Sequence, residues 1–332
     1  MKDKKTNVKK NFSSNQEIRW CPGCGDYAIL KTMTQTLSKL NVDPEKTVFI
    51  SGIGCAARMP YYIETYGFHT IHGRAPSIAT GLKLSNPDLD IWVITGDGDA
   101  LSIGSNHLLH TLRRNINLNI ILFNNEIYGL TKGQFSPTSR AGTKSPSSPR
   151  GSLGNSINAG LFALGAGGTF IARAIDTDKK NLSSMLESSY YHKGSSLVEI
   201  FQNCIVYNDK VFSGFTDKEN IADFQIHLEN GKPLLFGNNN SKGLKLSKDF
   251  KLEVVDSNKH KDEVLIHNEA NPVLSQLLLA MEPPEFPMAL GIIRKVDQDT
   301  YDDQFYASHP SKMKRRKSIN DIIRSGDIWK IS

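Results

Sequence analysis

The sequence predicts an α/β protein with a doubly wound, mostly parallel sheet and a small C-terminal annex. Two runs rich in Ile, Val and Leu, Ile91–Thr95 and Asn119–Phe123, have the uniform apolarity of strands that are buried on both faces of a parallel sheet. A predicted helix separates them, which is the order of a parallel strand–helix–strand unit. The 332 residues are enough to bury a sizeable core around this unit.

Helix and strand also alternate before these two strands. A Cys-x-x-Cys turn at 21–24 opens a predicted helix, and 47–51 forms a predicted strand. A glycine-bearing turn at 52–58 follows this strand, and a loop at 69–75 precedes a helix that ends near Asn86. The first helix is indicated by apolar residues at helical spacing. These residues are Leu30, Met33, Leu37 and Leu40.

After Gln134 the chain is less regular. The segment 135–155 is rich in Ser, Pro and Gly, which is typical of a disordered linker. Because it directly follows the loop after the second strand, a lid or a partner-binding loop is an equally good interpretation, and both stay open. A helix at about 180–192 and a strand at 197–201 then continue the α/β pattern.

The composition changes from about residue 210. Short apolar runs in a polar setting predict a small annex, and the final residues combine tyrosine, charge and a basic run, as in an arm that lies over another surface. We therefore divide the chain into a flexible leader (1–15), a main α/β domain (16–209), an annex (210–304) and a basic arm (305–332).

The net charge of +6 comes largely from the two ends, residues 1–10 and Lys312–Lys317. Such runs are usually solvated tails, and they are not interleaved with base-stacking aromatic residues, so we expect no nucleic-acid partner. An acidic protein partner suits a mildly basic surface better. No run approaches the roughly 18 apolar residues of a membrane span, and the N-terminus lacks the apolar part of a signal peptide. We therefore expect a cytoplasmic protein with no membrane partner.

Polar residues follow both central strands. Asp97 lies in the Gly-Asp-Gly-Asp turn after the first strand, and Asn124-Asn125 follows the second. Ligands of open α/β sheets bind beyond the carboxyl ends of the strands, so these side chains should face one site. Their oxygens suit Mg²⁺, which usually binds together with phosphate groups, and glycines nearby would let the main chain approach a phosphate. The glycines are Gly96, Gly98 and Gly129. The alternative interpretation of the Gly-Asp-Gly-Asp sequence is a simple turn with a capping aspartate.

The spacing between the Gly-Asp-Gly turn and the asparagine pair indicates a more specific kind of site. Residues 99–123, 25 in all, separate the Gly-Asp-Gly turn from the asparagine pair. This arrangement resembles the thiamine diphosphate fingerprint. The resemblance implies that Asp97 and Asn125 are side-chain ligands of Mg²⁺ and that the main-chain oxygen of Ile127 completes the protein ligands.

The chain contains four cysteines, which is the number that a cubane [4Fe-4S] cluster requires. Three of them follow glycine-bearing turns or strand ends, where backbone N–H groups can point at sulfur. A structural zinc site also takes four thiolates, although it normally uses two Cys-x-x-Cys pairs. Unrelated free thiols are a third possibility in a reducing compartment. The cysteines are Cys21, Cys24, Cys55 and Cys204.

Six motifs occur in unbroken order between about residues 16 and 300: WCPGCGD, SGIGCAAR, HGRA, GDGDALSIG, NNEIYGLTKGQ and a cysteine after VEIFQN. Together they resemble the beta subunit of a 2-oxoacid:ferredoxin oxidoreductase of the 2-oxoglutarate type. The resemblance implies that all four cysteines hold one [4Fe-4S] cluster and that the main domain, of the pyrophosphate-binding type, binds thiamine diphosphate. The implied contacts with thiamine diphosphate are Ile53, Gly54, Cys55, Ala56, His72, Gly73, Gly98, Asp99, Gly129 and Leu130.

The resemblance also implies a reaction. It is the oxidative decarboxylation of a 2-oxoacid, with 2-oxoglutarate favoured, to acyl-CoA and CO₂, and the electrons pass through the cluster to ferredoxin. Thiamine activation needs a glutamate from a second α/β domain, and 332 residues contain no duplicate of the first. We therefore expect an alpha, or fused gamma–alpha, subunit to supply it in a heterodimer.

Two other interpretations remain for the function. One is a thiamine diphosphate-dependent decarboxylase or synthase subunit with a structural zinc and no electron transfer. The other is a subunit that only scaffolds a complex, and the intact Asp97, Asn125 and cysteines argue against it.

Arg58, three residues after Cys55, is our candidate contact for a substrate carboxylate, because a guanidinium binds carboxylates bidentately. A surface arginine or a charge at a helix terminus is the alternative. At the position of Leu130, pyruvate-type relatives resemble one another in having a polar residue. The leucine here favours a larger 2-oxoacid as the substrate. We interpret His107 and His110 as helix residues.

Overall fold

The computed structural model describes residues 10–309, 318–327 and 329. Within these ranges the strands are β1 Thr47–Ser51, β2 Tyr66–His69, β3 Asp90–Gly96, β4 Leu118–Asn124, β5 Ile127–Tyr128, β6 Gln134–Phe135, β7 Phe170–Ile175, β8 Ser195–Phe201, β9 Gln225–His227, β10 Leu235–Phe236, β11 Lys242–Leu246, β12 Leu252–Asp256 and β13 Met288–Lys295.

The helices alternate with these strands in the first two thirds of the chain. They are α1 Asp26–Leu40, α2 Met59–Tyr62, α3 Ala75–Ser85, α4 Asp97–Leu101, α5 Ser105–Arg114, α6 Ala159–Gly165, α7 Lys179–Tyr191, α8 Ser213–Thr216, α9 Ile221–Phe224, α10 Pro272–Ala280, α11 Tyr301–Ser308 and α12 Ile319–Ile323. Short 3-10 helices occur at Ala56–Arg58, Asn238–Asn240 and Lys261–Glu263.

Eight strands form the large sheet, in the order β2-β1-β3-β4-β8-β7-β13-β9. The first six run parallel to one another, β13 is antiparallel to β7, and β9 runs parallel to β13. Strands β10, β11 and β12 form a separate antiparallel sheet, and β5 pairs with β6. The predicted α/β class with a mostly parallel sheet is confirmed.

Side chains of the central strands alternate between two apolar cores, one on each face of the large sheet. Val93 and Ile120 lie in the core that also contains residues of α3, α5, α6 and α10. Trp92 and Ile121 lie in the other core, with residues of α1 and α7. Burial of each such side chain stabilises the fold by about 1.5–3 kcal/mol. Because helices cover both faces, the sheet is doubly wound.

The segment 210–304, expected to form an annex, takes part in both sheets. Its strands β9 and β13 extend the large sheet, while β10, β11 and β12 form the small one. The boundary near residue 210 therefore stays a prediction, and the large sheet continues across it.

The two ends of the chain are described in part. Residues 10–15, within the expected leader, pack on the main domain, because Phe12 is 1% exposed and its carbonyl accepts a hydrogen bond of 2.8 Å from the Glu64 N–H. In α11, which overlaps the expected arm, the Tyr306 hydroxyl donates to the Leu84 carbonyl at 2.5 Å. Residues 1–9 and the basic run Lys312–Lys317 lie outside the described residues.

In the described part of the chain, no helix combines the length and the apolar character needed to cross a membrane.

Candidate functional site

Four neighbouring strands end at one edge of the large sheet, and the loops that follow them form the candidate site. Strand β1 leads into Gly52–Arg58, β3 into Asp97, β4 into Asn125 and β8 into Gln202. The register keeps the strand ends level, since the last residue of β4 pairs with the last residue of β8. The structure thus brings Asp97 and the asparagine pair together at the carboxyl edge of the strands, where ligands of such sheets bind.

Asp97 is the first residue of α4 and is 3% exposed. Its Oδ2 accepts hydrogen bonds from Ser136 Oγ at 2.6 Å and from Thr138 Oγ1 at 2.5 Å. Burial raises the pKa of this carboxyl to about 6, and the two hydroxyl donors oppose the rise. A carboxylate that has lost its hydration in this way is suited to a bound cation.

Asp99 is equally buried but uses its oxygens to hold the surrounding loops. Its Oδ1 accepts the backbone N–H groups of Ile53, at 3.1 Å, and Gly73, at 2.8 Å, and lies 2.6 Å from His72 Nδ1. Its Oδ2 accepts the hydroxyl of Thr95 at 2.8 Å. The loops after β1 and β2 are therefore tied to the end of β3 through one carboxylate.

Asn125 is oriented by a neighbouring amide. Its Nδ2 donates to Gln202 Oε1 at 2.8 Å, and its Oδ1 accepts the backbone N–H of Ile127 at 3.2 Å. Between these residues Glu126 has a φ of 54°, a left-handed conformation that turns the chain sharply after β4. This turn places the Asn125 side chain and the Ile127 main chain at the same end of the strand.

These residues surround a cleft with an empty volume of about 530 Å³, which we call the aspartate cleft. The three predicted metal ligands, Asp97, Asn125 and Ile127, all line it. Nine of the ten predicted cofactor contacts line it as well, and the tenth, Gly73, reaches it only through its hydrogen bond to Asp99. The nine are Ile53, Gly54, Cys55, Ala56, His72, Gly98, Asp99, Gly129 and Leu130.

The four cysteines line a second space, of about 710 Å³, which we call the cysteine cavity. It shares a wall with the aspartate cleft, because Asp26, Cys55, Asn125, Gly129 and Leu130 line both. A Cβ added at Gly129 would lie 3.4 Å from the sulfur of Cys204 and 3.6 Å from that of Cys55. A side chain at position 129 would therefore contact two of the sulfurs.

All four cysteines are free thiols. Burial raises the pKa of Cys55 to about 12 and also raises the pKa values of Cys24 and Cys204, and the nearby Asp26 carboxylate adds to each rise. Among the residues that the structure describes, no three His, Cys, Asp or Glu side chains are arranged as a metal-binding group. The thiols converge on one cavity, but they do not form a ligand cage by themselves.

The residues of both spaces fit the groups that the sequence implies. The carboxylate of Asp97, the side-chain oxygen of Asn125 and the carbonyl of Ile127 are hard oxygen donors of the kind that Mg²⁺ takes. Gly98 packs closely under the Tyr128 ring, since a Cβ there would lie 2.2 Å from it. Four thiols around one cavity are the donor set of an iron–sulfur cluster or of zinc.

Arg58 lies at the end of the 3-10 helix that follows Cys55, and it lines the cysteine cavity but not the aspartate cleft. Its guanidinium donates to the Arg19 carbonyl at 3.3 Å. Leu130 lies in the shared wall and is half-exposed. His107 and His110 both lie in α5, as predicted.

Sequence reasoning missed residues that support the predicted ligands. Ser136 and Thr138 are buried against Asp97, although they open the Ser-, Pro- and Gly-rich segment, whose Leu153 is 98% exposed. The first residues of this segment are therefore part of the site. Composition gave no signal for them, because it averages a buried turn with the exposed residues that follow. Tyr128 and Gln202 were missed for a different reason, since their contacts form only after the strands pair.

Residues 52–200 match the family described as thiamine pyrophosphate enzyme, C-terminal TPP binding domain. The matched range begins at the turn after β1 and ends in β8, so it contains the edge at which the aspartate cleft lies.

Two sequence relatives are similar to this chain. The 2-oxoglutarate oxidoreductase subunit KorB of Mycobacterium tuberculosis is 46% identical over 330 residues, which are 97% of this chain and 88% of that protein. The beta subunit of 2-oxoacid:ferredoxin oxidoreductase 1 of Aeropyrum pernix is 46% identical over 190 residues, 57% of this chain and 60% of that one.

A solved structure is similar over almost the whole chain. It is the 2-oxoglutarate:ferredoxin oxidoreductase of Magnetococcus marinus, solved with 2-oxoglutarate, coenzyme A and succinyl-CoA, at a TM-score of 0.77 and 30% identity over 98% of both chains. The motifs, the fold and these relatives all indicate the same family. The chain therefore belongs to the family of beta subunits of the 2-oxoacid:ferredoxin oxidoreductases, which are oxidoreductases with a thiamine pyrophosphate-binding domain.

Proposed function

We propose that this chain is the catalytic beta subunit of a 2-oxoglutarate:ferredoxin oxidoreductase. It would bind thiamine diphosphate and Mg²⁺ in the aspartate cleft and one [4Fe-4S] cluster in the cysteine cavity. The reaction is the oxidative decarboxylation of a 2-oxoacid to acyl-CoA and CO₂, with electrons delivered to ferredoxin. The observation that carries the proposal is the shared wall, in which Cys55 and Gly129 line both spaces.

The roles of the chain's own residues follow from their contacts. Asp97, Asn125 and the Ile127 carbonyl would hold Mg²⁺ and through it the diphosphate. Asp99 keeps the Ile53 and Gly73 loops in place around the bound group. When bound, thiamine diphosphate supplies the nucleophilic carbon and the electron sink that decarboxylation needs, and the cluster supplies a one-electron acceptor.

The shared wall supports electron transfer between the two spaces. At Gly129 the wall carries no side chain between the aspartate cleft and the sulfurs of Cys55 and Cys204. Cys21 is exposed, whereas Cys204 is buried against the wall. A cluster held by these cysteines would therefore reach from the wall of the cleft to the protein surface, where ferredoxin can approach.

A partner chain is part of the proposal. The part of the chain that the structure describes contains one large α/β sheet, and the thiamine-activating glutamate belongs to a second domain of that kind. We propose that an alpha subunit supplies it. Arg58 is proposed to meet the distal carboxylate of 2-oxoglutarate from the cysteine-cavity side of the wall.

The test is anaerobic purification of the chain together with its partner subunit. We expect a brown protein with about four iron and four sulfide per chain, and reduction of ferredoxin that depends on 2-oxoglutarate, coenzyme A and thiamine diphosphate. A colourless protein with one zinc per chain and decarboxylase activity would instead support the thiamine-dependent subunit with a structural zinc, and would exclude electron transfer.

A further inference from the structure

We propose that Gln202 couples the two halves of the site, by fixing the metal-binding oxygen of Asn125 and by donating a hydrogen bond to the sulfur of Cys24. The inference rests on the proposed function, because it takes Asn125 as a magnesium ligand and Cys24 as a cluster ligand. Gln202 is the first residue after β8 and is 1% exposed. It lines the cysteine cavity.

The side-chain amide of Gln202 has partners on both sides. Its Oε1 accepts the Asn125 Nδ2 group at 2.8 Å. Its Nε2 lies 2.6 Å from the carbonyl of Asn203 and 3.3 Å from the sulfur of Cys24. The main chain is also fixed, since the Gln202 N–H donates to the Asn124 carbonyl at 2.8 Å. One buried side chain therefore touches a residue of each predicted metal site.

The hydrogen-bond partners determine which way each amide points. The carbonyl of Asn203 can only accept, so the Gln202 atom that faces it must be the NH₂ group. The oxygen of Gln202 then faces Asn125, which must present its own NH₂ group in return. The remaining atom of Asn125 is its oxygen, next to the Ile127 N–H and on the wall of the aspartate cleft. The Asn203 carbonyl thus determines the orientation of the Gln202 amide, and Gln202 in turn determines the orientation of the proposed metal ligand Asn125.

This order has a consequence for the metal. Without the acceptor on Gln202, the amide of Asn125 could rotate and present NH₂ to a cation, which would repel it. Residues that orient a metal ligand typically contribute about 10- to 100-fold to metal affinity. We therefore expect loss of Gln202 to weaken Mg²⁺-dependent binding of thiamine diphosphate.

The same side chain acts on the cysteine side. Hydrogen bonds to the sulfurs are one of the factors that set the reduction potential of an iron–sulfur cluster. A donor at the Cys24 sulfur stabilises the added negative charge of the reduced cluster. Its removal should therefore shift the midpoint potential to a more negative value, with the iron content unchanged.

The experiment uses the full chain with its partner subunit, purified anaerobically. Gln202→Met keeps the length of the side chain and removes its three hydrogen bonds, to Asn125, Cys24 and Asn203. Gln202→Glu keeps the oxygen that accepts from Asn125 and removes the NH₂ donor. The matched control is Gln225→Met, another buried glutamine, which lies on the edge strand β9 and donates to the Phe215 carbonyl. The two readouts are the dissociation constant of Mg²⁺–thiamine diphosphate and the midpoint potential from a redox titration followed by electron paramagnetic resonance.

We expect Gln202→Met to weaken cofactor binding at least about tenfold and to lower the midpoint potential. Gln202→Glu should lower the potential and leave cofactor binding within about twofold of the wild type, and Gln225→Met should change neither. Because Glu also adds negative charge beside the cluster, the Met variant tests the effect on the potential and the Glu variant tests the effect on cofactor binding. Wild-type values for both readouts in the assembled Gln202 variants would overturn the coupling. A wild-type protein without a cluster would instead overturn the proposed function, so the two failures are distinguishable.

Discussion

The aspartate cleft and the cysteine cavity share a wall but differ in how far the protein alone fixes their geometry. In the cleft, Asp97 accepts two side-chain hydroxyls, and Asp99 accepts two backbone N–H groups and a third hydroxyl. In the cavity, burial raises the pKa values of Cys24, Cys55 and Cys204, which favours neutral thiols. The carboxylates of the cleft are therefore held by hydrogen bonds within the protein, whereas the thiols of the cavity would need a cation to become thiolates.

This difference shows how one chain can serve two kinds of ligand. A carboxylate held by hydrogen bonds keeps its position whether or not Mg²⁺ is bound. The charge of a metal would favour the thiolate form of the cysteines, so metal binding and local folding would be coupled in a cluster-binding cavity. Loss of a cysteine should therefore have an all-or-none effect on the cluster, and changes in the cleft should have graded effects on cofactor binding.

The largest effect is expected for Cys204→Ala. Removal of one of four cluster ligands, at the wall that both spaces share, should reduce the iron content from about four per chain to near zero and abolish ferredoxin reduction. Binding of Mg²⁺–thiamine diphosphate should stay within a few-fold of the wild type, because the hydrogen bonds that hold Asp97 and Asp99 do not involve the cysteines. Iron analysis and a cofactor titration on the same sample test both parts. A full cluster in this variant would contradict the ligand assignment.

The next effect is expected for Asp97→Asn. It removes the charge that the cation needs, and the affinity for Mg²⁺–thiamine diphosphate should fall at least about 100-fold, or by about 2.7 kcal/mol. The cluster should remain, since the cavity does not depend on the cleft. Asp88→Asn, at an exposed position ahead of β3, is the matched control and should bind normally. Calorimetric titration gives the affinity, and an unchanged value in Asp97→Asn would refute the metal site.

A smaller effect is expected for the residues that hold Asp97. Thr138→Val and Ser136→Ala each remove one hydroxyl donor to Oδ2 and should weaken cofactor binding about tenfold, because the freed carboxylate can turn away from the metal. Ser147→Ala, an exposed position in the same segment, is the control. If the two buried variants bind as the control does, the cleft is not preorganised by these hydroxyls, and the contrast with the cavity fails.

The sequence predicted the parts of this molecule that local patterns encode. The uniform apolar runs gave β3 and β4 because both are buried on two faces, and the glycine and asparagine motifs at their ends gave the cleft. The β13 strand was assigned to the annex, because nothing local shows that it pairs with β7 at the far side of the sheet.

Local sequence patterns also could not predict the hydrogen bonds that orient the site residues. Thr138 reaches Asp97 across 41 positions and Gln202 reaches Asn125 across 77. Such contacts depend on the register of the strands, and serine, threonine and glutamine have many surface roles that look the same in a sequence. The sequence therefore predicted which residues line the cleft, but not the residues that orient them.

An effect of similar size is expected for Arg58→Leu, which tests on which side of the wall the substrate carboxylate lies. Arg58 lines the cysteine cavity, close to the shared residues Cys55 and Leu130. If its guanidinium meets the distal carboxylate, the KM for 2-oxoglutarate should rise about tenfold, because a charged hydrogen bond is lost. The KM for pyruvate, which has no distal carboxylate, should change little.

The iron content and the cofactor affinity of Arg58→Leu should equal those of the wild type, and Arg113→Leu, an exposed arginine of α5, is the matched control. Arg58→Lys should recover part of the discrimination, since it keeps the charge and loses the bidentate fork. An equal rise in KM for both acids would show that Arg58 supports the shape of the wall. The substrate's second carboxylate would then have to be bound from the aspartate cleft or by the partner subunit.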